Sequence, residues 1–461
     1  MPASPPILAI GVLGTLLVFF LAWRRPTVAL TVWLIFSTVF SEYVLLPNAP
    51  TLHVHLSRAL LTALVLGLAA GWVPLEGKGQ RAPVAPAVLI VILTVWTIFS
   101  AFWTGTIHRV DGTRNLSVFI TGFFVPGMVL YFARYFPLSL RASRRVCVLL
   151  TALLSYMIFT AFCEHFHIDA LVFPQYILDP SLGIHAERAR GPIVNAAENG
   201  GMLAILLLVG LHTILYQTKG AMRWVVSYGM LGVGALALFY TQTRGPWLAF
   251  VGGVAVMLFH KQCRSLVGAL GGIGAIALAA YLLASAASVG NLAKTNPLPD
   301  RSDNTEDTAD FRMNLYAESV RPFQDHPLIG WGLGTFTDED YLFDAYGGSL
   351  TITTAVLHDT VVAITLESGI VGGALYVAFL VSSVVILLRL RRYSLSAETK
   401  DFYILAIASL VAFVINGLFV DIRYFAQQNA LVFFLIGLGL ALPSGNHTQV
   451  AKPLPIEGAV A

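Results

Sequence analysis

Charged residues are scarce in this sequence. They make up 11% of its 461 residues, against 57% hydrophobic residues, and the mean hydropathy is +0.75. Soluble domains carry about 25% charged residues, so a water-soluble enzyme and a disordered chain are excluded. Because one transmembrane helix needs about 20 apolar residues, the chain can form about a dozen of them. The composition predicts an all-α, polytopic transmembrane helical bundle with about 12–13 spans.

Cysteines and the common cofactor motifs are also scarce. Cys147 and Cys163 lie on one predicted helix about 24 Å apart, too far for a disulfide, and Cys263 is the only other cysteine. No Walker-type phosphate loop, no GxGxxG that opens a helix, no HExxH and no CxxC occurs. The acidic stretch 303–310 lacks the glycine and the final glutamate of an EF-hand loop. We therefore expect no cofactor, no metal ion and no nucleic-acid partner.

Long uncharged apolar runs predict the membrane topology. They give thirteen spans, at residues 7–23, 27–43, 58–73, 85–104, 116–134, 146–163, 200–217, 224–241, 246–259, 266–289, 358–388, 402–420 and 427–443. One set of connecting segments holds 17 basic and 4 acidic residues, net +13, and the other holds 11 basic and 21 acidic residues, net −10. The positive-inside rule makes the first set cytoplasmic and places the N-terminus outside.

The predicted spans divide the chain into six parts, and only the outer loops are long. The parts are N-terminal transmembrane helices (1–163), an outer loop (164–199), central transmembrane helices (200–289), a large outer loop that contains an amphipathic helix (290–357), C-terminal transmembrane helices (358–443) and a cytoplasmic tail (444–461). Any chemistry is therefore expected on the outer side.

Two arginines precede a Gly-Pro turn at the outer end of a predicted helix. They are Arg188 and Arg190, and Asn199 follows at the helix start. Guanidinium groups at this depth can bind a phosphate or diphosphate through charge-assisted hydrogen bonds worth about 1.5–3 kcal/mol each. The alternatives are interfacial snorkelling and pairing with Glu187 and Glu198.

A further arginine, Arg244, lies in a tight connection between two apolar runs. An arginine at the centre of a membrane helix costs about 2.5–3.5 kcal/mol, so one this close to hydrocarbon needs a partner. A bound anion is one candidate, and Asp421 and Asp359 are the alternatives.

Two more candidates follow along the chain. Trp331 lies in the Gly-rich run 325–334, where it either stacks on a sugar or packs in the core. His358 opens a late predicted helix, and a neutral imidazole can take a proton from a hydroxyl at physiological pH. The alternative for His358 is a helix cap or a surface residue. Glu367 lies half a turn round the helix from it, so spacing assigns it no partner.

Four motifs occur in order in the C-terminal half, at residues 188–201, 241–250, 311–336 and 357–373. Together they resemble the O-antigen ligase/polymerase superfamily of integral-membrane glycosyltransferases. The first six spans resemble the family in hydropathy alone. The sequence departs from the family pattern at Asp359, where asparagine is common, and at residues 196–198, which interrupt an Asn-Pro-Asn stretch.

The resemblance implies a GT-C-like fold with a large periplasmic loop, in a bacterial inner membrane. It implies metal-independent, inverting transfer of a glycan from undecaprenyl diphosphate to an acceptor hydroxyl. Carried over by position, it implies that Arg244 and Arg312 stabilise the leaving diphosphate and that His358 deprotonates the acceptor. The predicted diphosphate- and sugar-binding residues are Arg190, Arg188, Arg321, Asn199 and Trp331.

Two alternatives stay open. Within the family, a ligase transfers to the lipid A core and a polymerase to another lipid-linked repeat, and the sequence leans towards the ligase. From another class, a transporter of lipid-linked sugars or anions would place ionisable residues near the membrane midplane. His212 and Glu367 are the main candidates there, whereas the arginines cluster at the outer boundary. This distribution favours chemistry at the surface.

Overall fold

The computed structural model describes residues 5–40, 56–70, 83–106, 117–136, 138–183, 185–261, 263, 323–335 and 359–442. Within these ranges the protein forms α-helices, short 3₁₀ turns and one π-helical segment at Ile120–Phe124, and no strand. The all-α prediction is confirmed.

Twelve helices are present in the described ranges. They are α1 (Pro5–Arg24), α2 (Pro26–Val39), α3 (Leu56–Ala70), α4 (Ala85–Trp103), α5 (Ser117–Tyr135), α6 (Leu140–His165), α7 (Ala196–Gln217), α8 (Gly220–Tyr240), α9 (Arg244–Met257), α10 (Thr360–Tyr393), α11 (Ala397–Gly417) and α12 (Ala426–Ala441). Seven of them, α4 to α8, α10 and α11, are long and apolar enough to cross a membrane. The chain is a multi-pass membrane protein. Every predicted span overlaps one helix except 266–289, which lies outside the described residues.

Short polar side chains begin several of these helices. Asn195 accepts hydrogen bonds from the first amides of α7, and Asp359 does the same for α10. Ser139 and Ser396 cap α6 and α11. Each cap pairs a backbone N–H that has no partner within its own helix.

Helix α7 is the centre of the bundle. It contacts α6, α8, α9, α11 and α12. In its 18-residue apolar stretch, 89% is buried inside the protein. A helix that is apolar on every side is expected to be enclosed by other helices. The loop motifs that precede and follow α7 are consequently fixed relative to the helices around it.

The bundle has two ends, and both are polar. The loop face consists of residues 166–195, 241–243, 323–335 and 418–425, and the basic face consists of residues 138–145, 217–220, 257–261 and 391–400. The loop face carries the connections predicted to lie outside. Which face is outside stays a prediction.

A buried polar cluster closes the basic face around Asp401. Its carboxylate accepts hydrogen bonds from the Tyr216 hydroxyl (2.6 Å) and the Lys261 amide (2.8 Å). His260 Nδ1 lies 3.4 Å from the same carboxylate, and His260 Nε2 lies 2.9 Å from His212 Nδ1. His212 therefore belongs to the end of the bundle and not to its middle.

We expect Asp401→Ala to lower the free energy of unfolding by about 1–3 kcal/mol, because the Tyr216 hydroxyl and the Lys261 amide would lose the buried carboxylate that accepts their hydrogen bonds. Thermal unfolding in detergent measures the change. Asp169→Ala, at an exposed aspartate on the loop face, is the matched control. Equal melting temperatures for the two variants would contradict the prediction.

Candidate functional site

The first two arginine motifs meet on the loop face. The Ala189 amide donates to the Tyr240 carbonyl at 3.1 Å. A Cβ atom on Gly200 would lie 2.8 Å from Pro246 Cγ and 3.1 Å from Thr241 Oγ1. Only glycine permits this approach, so the start of α7 lies against the turn before α9. Two motifs that are separate in the sequence form one surface.

Arg244 is exposed at the first position of α9. Among the described residues, no oxygen atom accepts a hydrogen bond from its guanidinium, and no carboxylate forms an ion pair with it. Neither predicted alternative partner pairs with it. Asp359 caps α10 through the amides of Val361 (2.9 Å) and Val362 (3.1 Å), and Asp421 pairs with another arginine. A cation is therefore presented at the loop face without an anionic partner among the described residues.

Arg190, by contrast, is buried, and its guanidinium donates to backbone carbonyls. Nη1 donates to Leu182 O (2.5 Å), and Nη2 donates to Ile177 O (2.8 Å) and Asp179 O (3.1 Å). Its own amide donates to the Glu164 carboxylate at 2.8 Å. These contacts order the loop before α7. A contact with diphosphate stays a prediction for Arg190.

Of the two glutamates near Arg188, one pairs with it and the other caps a helix. Arg188 is half-buried, and its Nε lies 3.3 Å from Glu187 Oε1. Glu198 accepts hydrogen bonds from the amides of Gln427 (2.9 Å) and Gln428 (3.4 Å). Its negative charge therefore lies at the positive N-terminal end of α12. The predicted pairing exists for Glu187, while Glu198 caps another helix.

Asn199 is fully buried beneath the Gly-Pro turn. Its Nδ2 donates to Ala189 O at 3.0 Å. Gly191 has a φ of +58° and leaves no room for a Cβ beside the Asn199 amide. Asn199 thus holds the turn closed in this structure, and its predicted sugar contact stays a prediction.

Helix α10 is broken at Gly369, which has a φ of +68° and a ψ of −179°. Residues 327–334 lie against this break, and we call them the inserted turn. Three backbone hydrogen bonds run from Trp331 N to Leu366 O (3.1 Å), from Gly332 N to Glu367 O (2.8 Å) and from Ile370 N to Pro327 O (2.8 Å). The inserted turn supplies the partners that the broken helix loses.

Trp331 belongs to this inserted turn. Its ring is half-buried and meets the His326 ring edge-on, with a centroid distance of 4.5 Å. Its amide is one of the three that bind the break in α10. The side chain is positioned by the backbone of the turn, and sugar stacking stays a prediction.

A buried ionic triad lies beside the break. Arg423 donates to Asp421 through Nε (2.9 Å to Oδ1) and Nη2 (2.6 Å to Oδ2), and through Nη1 to Glu367 Oε2. All three side chains are buried. Burial lowers the pKa of Arg423, but the two carboxylates raise it by more, so the guanidinium stays charged.

The starts of α9 and α10 flank one turn at the end of α11. A Cβ atom on Gly245 would lie 2.9 Å from Phe419 Cβ. On the other side, Thr360 Oγ1 donates to Val420 O (3.1 Å) and accepts from Ile422 N (3.0 Å). The segment after His358 therefore begins close to the turn that Arg244 follows. His358, Arg312 and Arg321 lie outside the described residues.

Residues 229–377 match a family model described as O-antigen ligase. This match covers less than half of the chain and supports membership of the O-antigen ligase superfamily. The match runs from α8 through Arg244 and the inserted turn into α10. It supports an O-antigen ligase or polymerase type of function, in a family of glycosyltransferase-like enzymes. No curated protein matches the chain.

Sequence reasoning missed the Arg423 triad. Arg423 and Asp421 lie outside the matched residues, whereas Glu367 lies within them. A signal was present, because ionisable residues near hydrocarbon in a chain this poor in charge need one another as partners. Within the described ranges, no group of three His, Cys, Asp or Glu side chains is arranged to hold a metal ion.

Proposed function

We propose that the protein transfers a glycan from undecaprenyl diphosphate to an acceptor hydroxyl at its loop face, as an O-antigen ligase in a bacterial inner membrane. The observation that carries the proposal is Arg244, an exposed arginine at a helix start that has no anionic partner among the described residues, inside the segment that matches the family. A diphosphate is an anion that it can bind, because guanidinium groups bind phosphate in a bidentate manner. In this orientation the loop face is periplasmic.

The proposed reaction is a single displacement at the sugar. The acceptor oxygen attacks C1 of the donor glycan, the bond from C1 to the diphosphate oxygen breaks, and His358 takes the acceptor proton. Arg244, with Arg312, stabilises the negative charge that grows on the leaving diphosphate. Arg190 orders the adjoining loop through its three carbonyl contacts. The donor already holds the energy for transfer.

A transporter is less well supported. Such proteins commonly bind their cargo near the midplane. His212 lies in the Asp401 cluster of the basic face, and Glu367 is paired with Arg423 beside the inserted turn. Both residues that a midplane site would use are bound to residues at the ends of the bundle.

The lipid-linked glycans of the native host test the function directly. In cells that lack the gene, we expect long glycan chains to accumulate on undecaprenyl diphosphate, because a ligase no longer removes them. Accumulated single repeats would identify a polymerase instead. Mass spectrometry of the extracted lipid distinguishes the two.

In the same cells, we expect His358→Ala to fail to restore the wild-type glycan pools, because the acceptor hydroxyl keeps its proton. His447→Ala, in the predicted cytoplasmic tail, is the matched control and should restore them. Pools that do not change on gene loss, or full rescue by His358→Ala, would reject the transferase and favour the transporter.

A further inference from the structure

We propose that Glu367 is a positioning residue for glycan transfer, and that Arg423 holds it in place. Glu367 fixes the inserted turn and the outer segment of α10, residues 360–368, in one arrangement. The inference rests on the proposed function, since it assigns a role within the same reaction.

Glu367 joins three parts of the chain. It projects from α10 and is fully buried. Its carboxylate pairs with Arg423, from the connection between α11 and α12. Its backbone carbonyl accepts a hydrogen bond from Gly332 N, in the inserted turn, at 2.8 Å. The pair with Arg423 therefore anchors the residue to which the inserted turn is bonded, and so relates the break in α10, the inserted turn and the connection after α11.

The inserted turn fits its place closely. Ser100 Oγ donates to Ile329 O (2.8 Å) and to Glu367 O (3.0 Å), and Trp96 Nε1 donates to Ser368 O (2.7 Å). Two glycines in the turn have positive φ, +79° at Gly330 and +97° at Gly332. Both are so close to their neighbours that a Cβ atom would clash. A small change at Glu367 is therefore transmitted to the whole turn.

Stability alone does not account for Glu367. Asp421 already binds Arg423 through two donors, which balances its charge. The carbonyls at the break already accept hydrogen bonds from the inserted turn. Glu367 adds a second buried carboxyl group beside Arg423, and burying it costs desolvation energy. We attribute the presence of the Glu367 carboxyl group to its positioning of the inserted turn and of residues 360–368.

The segment that Glu367 positions leads to the proposed base. The break at Gly369 separates residues 360–368 from the rest of α10. This short segment is held at one end by the contacts of Thr360 with the connection after α11 and at the other end by Glu367. His358 comes two residues before it. A tilt of the segment would displace its start, and a displacement of 1 Å can cost about a hundredfold in rate.

The test uses the full-length protein in proteoliposomes with an undecaprenyl-diphosphate-linked glycan and an acceptor. Glu367→Ala removes the pair with Arg423, keeps the backbone hydrogen bond to Gly332 and leaves Arg423 balanced by Asp421, so the variant is expected to fold. We expect its kcat to fall by about tenfold or more while KM changes less than about twofold, because geometry and not binding is lost. Glu367→Gln keeps the hydrogen-bonding shape and should retain most of kcat. Glu398→Ala, which breaks the buried carboxylate's pair with Arg144 on the basic face, is the matched control.

A second readout reports on the inserted turn without activity. In a chain whose three cysteines, all buried, are replaced by alanine, Leu333→Cys is buried and Leu328→Cys is exposed. We expect Glu367→Ala to speed maleimide labelling at position 333 by about tenfold, through local opening, and to leave position 328 unchanged.

Each combination of results has a distinct meaning. Faster labelling at position 333 with wild-type kcat would overturn the proposal, because the inserted turn would open more often without any loss of transfer rate. A lower kcat with unchanged labelling would overturn it as well, because Glu367 would act by another route. If the wild type transfers no glycan, the proposed function fails, and labelling alone then decides whether Glu367 holds the turn.

Discussion

Replacing Arg244 by alanine is expected to lower kcat/KM for glycan transfer by about a thousandfold, the scale of losing a donor that stabilises transition-state charge. The guanidinium is exposed and is bound to no protein group in the described part of the chain, so its loss removes no internal contact. The melting temperature should therefore stay at the wild-type value. Transfer in proteoliposomes, together with thermal unfolding, measures both effects.

Two further variants make the Arg244 result specific. Arg244→Lys keeps the charge but loses the planar fork, so it should recover only part of the rate. Arg145→Ala removes an exposed arginine from the basic face and should leave transfer unchanged. If Arg244→Ala retains more than half of the wild-type rate, the diphosphate is stabilised elsewhere.

The second large effect is a loss of folding stability when Arg423 is replaced. Arg423→Gln leaves Asp421 and Glu367 buried together without their cation. Breaking a buried ion pair in this way costs about 3–5 kcal/mol. We expect a large fall in melting temperature and in the yield of monodisperse protein.

A neutral variant separates charge from packing at this triad. Combining Arg423→Gln with Asp421→Asn and Glu367→Gln leaves no unpaired charge, so stability should largely return. Arg144→Gln is the control at the partly exposed ion pair of the basic face, where the expected loss is about 1 kcal/mol or less. A wild-type melting temperature for Arg423→Gln would contradict the account.

The fold class could be predicted from the sequence because hydrophobic runs are local. Each predicted span needs only its own residues, and the helices follow those runs to within a few positions, as for 85–104 and Ala85–Trp103. The tight turn at Arg244 is equally local, since the apolar runs on both sides define it.

The partners of the buried polar groups could not be predicted in this way. The guanidinium of Arg190 binds carbonyls 8 to 13 residues away, and Arg423 binds Glu367 across 56 residues. Such pairs depend on how helices pack, which periodicity does not report. Periodicity relates Glu367 to His358 and to the membrane midplane, but it indicates no partner for Arg423. A rule that pairs rare charges near hydrocarbon would have brought these two together.

The enclosure of α7 has a consequence for how the protein is made. The chain is synthesised from its N-terminus, so α7 enters the membrane before α11 and α12, which later cover it. Until then the Glu198 carboxylate lacks the amides of Gln427 and Gln428 that donate to it. A nascent chain that ends before residue 397 would leave this carboxylate without those donors. Biogenesis of this protein is therefore expected to depend on a membrane insertase that shields α7 until the last two helices arrive.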